Sequence, residues 1–222
     1  MARSFTIGRT TQASVLATNS VIRNTYILLS LTLVFSALMA GVSMITNAPP
    51  IGLFGFLMYM GLLYLVQATA NSGWGIVSVF ALTGFLGYTL GPILNMYLQL
   101  SNGAQLIMTA LGGTGMIFFA LSAYALTTQK DFSYMAGFLM SATLVLFLAS
   151  IAGIFFSIPA LQLLICAGFL LLSSGFILFE TSQIIQGGQR NYVLATVSLY
   201  VSLYNIFLSL LQLLAAFSGR RD

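Results

Sequence analysis

The sequence predicts an all-α fold, a polytopic integral-membrane bundle of seven helices, and three observations predict it. Hydrophobic residues make up 59% of the 222 and charged residues only 5%, a balance that a water-soluble domain could not carry without large exposed apolar patches. Apolar runs of roughly 20 residues, the length that crosses a bilayer, recur along almost the whole chain. The runs are divided by Pro, Gly and Asn clusters and lack the short polar–apolar alternation of membrane strands, which excludes a β-barrel.

Residues 1–22 are rich in Ser, Thr and Asn, carry Arg3 and Arg9, and read as a polar cytoplasmic tail ahead of a membrane domain spanning 23–219. The first span, 24–45, is longer than a signal-peptide core and is not followed by a small-x-small cleavage site, so it is expected to remain as a helix. The second, 51–69, starts after Asn47-Ala-Pro-Pro50, and the third, 75–98, after Asn71-Ser-Gly73. Ser101-Asn-Gly103 opens the fourth, 104–126, and Gln129-Lys-Asp131 precedes the fifth, 133–156. Ser157-Ile-Pro159 introduces the sixth, 161–185, and Gly187-Gly-Gln-Arg-Asn191 the seventh, 192–217. No internal repeat is evident, so the repeat architecture of many transporters has no support.

Arg23, Lys130 and Arg190 fall before helix 1, between helices 4 and 5, and between helices 6 and 7. The positive-inside rule therefore places the N-terminus in the cytoplasm. Arg220 and Arg221 oppose it, because seven crossings leave them outside. Trp74, Tyr26, Tyr134 and Tyr192 lie near span ends, as interfacial aromatics do. Seven scattered basic residues do not form a nucleic-acid surface. A lone Cys166 supports neither a disulfide nor a metal site, and no cofactor motif is present. With no His in the chain, His-activated nucleophiles and most zinc sites are excluded, and no enzyme is expected.

One residue breaks the apolar pattern. Glu180 is the sole carboxylate inside a span, and ionisable groups at membrane depth are rare and face protein or water. Ser198, Ser202, Asn205, Ser209 and Gln212 recur at spacings of four, three, four and three, which makes one polar stripe on helix 7. The short connection between helices 6 and 7 makes them antiparallel neighbours, with Glu180 and Ser198 at similar depth. Two readings of the pair stand. Burial disfavours the charged carboxylate, so Glu180 is either a neutral lock between the helices or a proton-responsive group with Ser198, Ser202 and Asn205 along a proton or cation path. One carboxylate with hydroxyls and amides makes a weak calcium site, since calcium takes about six to eight oxygens. Gly84, Gly87 and Gly91 in helix 3, and Gly112, Gly113 and Gly115 in helix 4, are expected to let helices approach closely. Pro92 is expected to bend helix 3.

Five segments in order carry a resemblance: Thr83-Gly-Phe-Leu-Gly-Tyr-Thr-Leu-Gly-Pro92, Gly112-Gly-Thr114, Thr127-Thr-Gln-Lys-Asp-Phe-Ser133, Phe179-Glu-Thr-Ser-Gln-Ile-Ile185 and Ser198-Leu-Tyr-Val-Ser-Leu-Tyr-Asn-Ile-Phe207. Along nearly its whole length the chain resembles the Bax inhibitor-1 family, in particular its bacterial inner-membrane branch. The resemblance implies a last helix surrounded by the other six, membrane lipid as surroundings, and a role as modulator of the membrane-anchored AAA protease FtsH. For the calcium-leak members it implies paired acids on helices 6 and 7. Glu180 matches the first position and Ser202 replaces the second, which removes the like-charge coupling of such a pair and weakens the calcium reading.

Overall fold

A computed structural model describes residues 4–156 and 158–218, and side chains from residue 19 onward apart from Ile154. The chain folds into seven long helices. They are α1 (Ser4–Ile45), α2 (Gly52–Thr69), α3 (Trp74–Leu98), α4 (Gly103–Thr128), α5 (Ala136–Phe155), α6 (Pro159–Ile185) and α7 (Tyr192–Ser218), with a 3-10 turn at Ser133–Met135 before α5. All seven contain a stretch long and apolar enough to cross a membrane.

The punctuation acts through backbone chemistry. Asn47 ends α1 in the left-handed region at φ 48°, and Gly52 opens α2 at φ 56°. Gln129, also left-handed, ends α4 with its N–H on the Ala125 carbonyl, 3.1 Å away. Pro159 occupies the first turn of α6, where its missing N–H costs nothing. α3 runs through Pro92, as spans tolerate when neighbours satisfy the freed carbonyl.

Over its described part the polar segment 1–22 is helical: α1 starts at Ser4 and runs 42 residues to Ile45, and no proline interrupts residues 4–45, so one helix continues through the polar stretch. Within it, Asn19–Ile45 is long and apolar enough to cross a membrane. Arg3, Arg220 and Arg221 lie outside the described residues. The fifth membrane-length stretch starts at Ser133, as expected; its first turn is 3-10, with the Asp131 carboxylate accepting the Ser133 N–H at 2.8 Å, and the α-helix proper begins at Ala136.

α7 is the central helix, with 61% of its most apolar stretch buried against 6% in α2 and in α5. It packs against α1, α2, α3, α4 and α6 but not α5, so five helices surround it and not six. α5 lies outside that ring and touches only α6 and the 3-10 turn. Leu199, Tyr200, Leu203 and Ile206 of α7 meet Leu29, Val79, Leu82, Phe118 and Ile177 in the main core. The Tyr200 hydroxyl is 2.5 Å from the Ser36 hydroxyl and donates to the Thr83 carbonyl at 3.2 Å, joining α7 to α1 and α3.

Glycine separates into two classes. A Cβ on Gly84 would strike the Phe35 ring, one on Gly87 the Ser36 backbone, and one on Gly91 Ser43, so these three form the seam between α1 and α3. Gly113 has a looser role against Leu210 at 3.2 Å. Gly112 and Gly115 have nothing within 4 Å. The close approach expected of them is therefore not made: Gly112 is exposed, Gly115 is half-buried, and a Cβ on either would have open space.

Candidate functional site

α6 carries Glu180 five residues before its last residue, Ile185, on the turn that meets the start of α7. The side chain is 8% exposed, and the side chains of Gln189 and Ser198 lie beside its carboxyl. Gln189 belongs to the loop between α6 and α7, where its backbone N–H reaches the Gln183 carbonyl at 3.0 Å and its side-chain oxygen accepts the Asn191 N–H at 3.1 Å. Glu180 thus sits where three pieces of chain meet: α6, the connecting loop and the first turns of α7. As a neutral acid the carboxyl both donates and accepts; as a carboxylate it only accepts. On losing its proton the carboxyl could no longer donate to either neighbour and would need donors from both.

The polar stripe is assembled in part. Ser198 touches Glu180 and also lines a cleft of about 390 Å³ between α2, α5, α6 and α7. Ser202 is buried and donates to the Ser198 carbonyl at 2.9 Å. Asn205, at the midpoint of α7, lines this cleft and a second one of about 430 Å³ between α2, α3 and α7. Pro92 lines that second cleft, and so do Thr89 and Tyr204, whose hydroxyls lie 3.1 Å apart. Gln212, at the far end of the stripe, is exposed but still meets α6: its side-chain oxygen accepts from the Cys166 thiol at 2.8 Å.

Glu180 has no acidic partner on α7, since the position where the resemblance implies one is Ser202, turned onto its own helix. Among the described residues no group of three or more His, Cys, Asp or Glu converges. The only other acid described, Asp131, is in the α4–α5 loop, where hydrogen bonds from Ser133 hold its carboxyl below the usual carboxylate range.

Sequence reasoning missed the residues that brace this end of the bundle. Ser182, fully buried, accepts the Phe132 N–H and donates to the Lys130 carbonyl, each at 3.0 Å. Gln183 donates to Ser133 at 2.7 Å, and Gln186 to the Gln129 carbonyl at 2.8 Å. Asn191 accepts the Val193 N–H at 2.9 Å as cap of α7 and donates to the Ala70 carbonyl at 3.0 Å. The capping signal was readable in Asn191. The ties between loops were not.

The family described as "Inhibitor of apoptosis-promoting Bax1" matches residues 18–219, nearly the whole of the described chain. The chain belongs to the Bax inhibitor-1 family. Among relatives, an Escherichia coli K12 protein named "Modulator of FtsH protease YccA" is 56% identical over 204 residues, covering 91% of this chain and 93% of its own. A Pseudomonas aeruginosa relative is 54% identical over 202 residues, 90% of this chain and 91% of its own. The same identity, 56%, links the chain to a protein of E. coli O6:H1 named "Inner membrane protein YccA". These relatives are named as a modulator and a membrane protein rather than as enzymes. Membership agrees with a bundle of seven spans whose central helix is α7.

Proposed function

We propose that the chain is a multi-pass protein of the bacterial inner membrane, N-terminus in the cytoplasm, that binds the FtsH protease and restrains its degradation of other membrane proteins. The observation that carries this reading is 56% identity, over nine-tenths of both chains, to a relative named as a modulator of that protease. The architecture supports a binding role more readily than a catalytic one. The chain has no His, and the interior hydroxyls that line the Glu180 site have no general base other than that acid.

Co-purification of the detergent-solubilised protein with FtsH, together with turnover of a membrane substrate with and without the protein, tests the proposal. Association and slower turnover are expected; neither association nor altered turnover refutes it.

A second reading, a proton-gated cation leak, rests on one feature: Ser198 connects Glu180 to a cleft whose far wall, Asn205, borders a second cleft. Its test is liposome flux. A pH-dependent proton or calcium flux abolished in Glu180→Gln supports it, and no flux at any pH disposes of it.

A further inference from the structure

The cleft that contains Ser198 and Asn205 opens sideways. α2 touches neither α5 nor α6, although all three line it, so the gap faces the lipid. Most of its lining is apolar, and the polar part, its floor, is a minority made by Gln67, Thr143, Ser173, Ser198, Ser202 and Asn205. Thr143 and Ser202 turn their hydroxyls onto their own helices, at the Leu139 and Ser198 carbonyls. Recognition by the floor therefore rests on the Gln67 and Asn205 amides and the Ser173 and Ser198 hydroxyls.

The rims come from the two least buried helices. On α5, Met140 and Phe147 flank Thr143 by about one turn and are 70% and 45% exposed. On α2, Met60 and Tyr64 lie beside the lining residues Tyr59 and Leu63 and are 41% and 75% exposed.

Depth decides what fits. Asn205 stands at the middle of α7, in the hydrocarbon region, where acyl chains offer no hydrogen bonds and headgroups do not reach. An occupant that satisfies the floor must bring a donor or acceptor to mid-membrane while packing apolar surface against both rims. A transmembrane helix with one polar side chain does both, because helices associate in lipid through close packing and interhelical hydrogen bonds. We propose that the α2–α6 cleft is a docking groove for a single transmembrane helix bearing an amide or hydroxyl side chain near mid-membrane. This rests on the reading of the chain as an FtsH-binding protein, and the docked helix then belongs to the FtsH complex.

The test is site-specific photocrosslinking in membranes containing full-length protein and FtsH. A photoreactive residue is placed at Met140 or Thr143 beside the groove, or at Met108 or Met116 on α4 as distant controls, which are 69% and 71% exposed. Co-purification of an Asn205→Val variant is measured alongside, with thermal unfolding to confirm that the variant folds. Crosslinks to FtsH from 140 and 143 but not from 108 and 116, with co-purification of folded Asn205→Val reduced roughly 3- to 10-fold, are expected. Intact co-purification with crosslinks only from α4, only to lipid, or with no effect of Asn205→Val overturns the groove and leaves FtsH binding standing. Loss of co-purification for the unaltered protein overturns both.

Discussion

Gly87→Ala is expected to destabilise the bundle, and Gly112→Ala is not. At Gly87 a Cβ would lie 2.8 Å from the Ser36 carbonyl carbon and 2.6 Å from the Ser36 hydroxyl, with the carbonyl oxygen closer still. Ordinary contact begins at 3.4 Å, so α1 and α3 must part by about 0.6 Å at the carbon alone. The obstacle is backbone, which cannot rotate away as a side-chain tip can. Overpacking of this kind costs about 1–3 kcal/mol. The same displacement pulls Ser36 from Tyr200, whose hydroxyls are 2.5 Å apart, and adds roughly 0.6 kcal/mol, the average for an interhelical hydrogen bond in a membrane. At Gly112 nothing lies within 4 Å, and alanine's higher helix propensity is worth up to about 1 kcal/mol in its favour. Equilibrium unfolding in mixed micelles reads both. The expected separation is about 2–4 kcal/mol with Gly87→Ala the weaker protein. Equal effects, or a Gly112→Ala variant as unstable as Gly87→Ala, would refute the assignment of the α1–α3 seam.

Tyr200→Phe removes two interhelical hydrogen bonds without changing volume; a loss of about 1.2 kcal/mol is expected, and a double-mutant cycle with Ser36→Ala should show that the two sites are coupled. Ser182→Ala leaves the Phe132 N–H without its partner in a buried place and is expected to cost about 1–3 kcal/mol, read as faster hydrogen exchange or proteolysis across 129–135. Asp131 has a carboxyl held below its ordinary range by Ser133, so its stabilisation of the 3-10 turn is present above the unfolded value of about 3.9 and is lost as pH falls through the lower folded value. Acid should therefore loosen the α4–α5 loop in the native chain, and Asp131→Asn should remove that pH dependence; a loop whose exchange responds to acid equally in both proteins contradicts the assignment.

Much of the architecture was legible because it is local. Whether a segment spans a bilayer depends on its own length and apolarity, and in lipid its backbone hydrogen bonds must close within itself, so the seven spans could be read from runs and breakers. The nearness of Glu180 to Ser198 has a similarly local cause: the loop from Gln186 to Asn191 is too short for anything but an antiparallel hairpin, which puts the two at one depth. The boundary of α1 was not, since polar residues in a helix outside the membrane look like those of a tail.

What only the tertiary structure decided concerns lateral neighbours. Lipid tails are as apolar as leucine, so no hydrophobic signal distinguishes a face that meets a helix from one that meets lipid. That is why Gly87 and Gly112 look alike in sequence and differ in the fold, why α5 proved peripheral, and why Gln189, Ser182 and Tyr200 went unnoticed. The sequence by itself determined seven spans and one carboxylate within them; packing determined that this carboxylate lies beside a loop and a serine at the edge of a cleft, because polar groups from different helices meet only when shape brings them together.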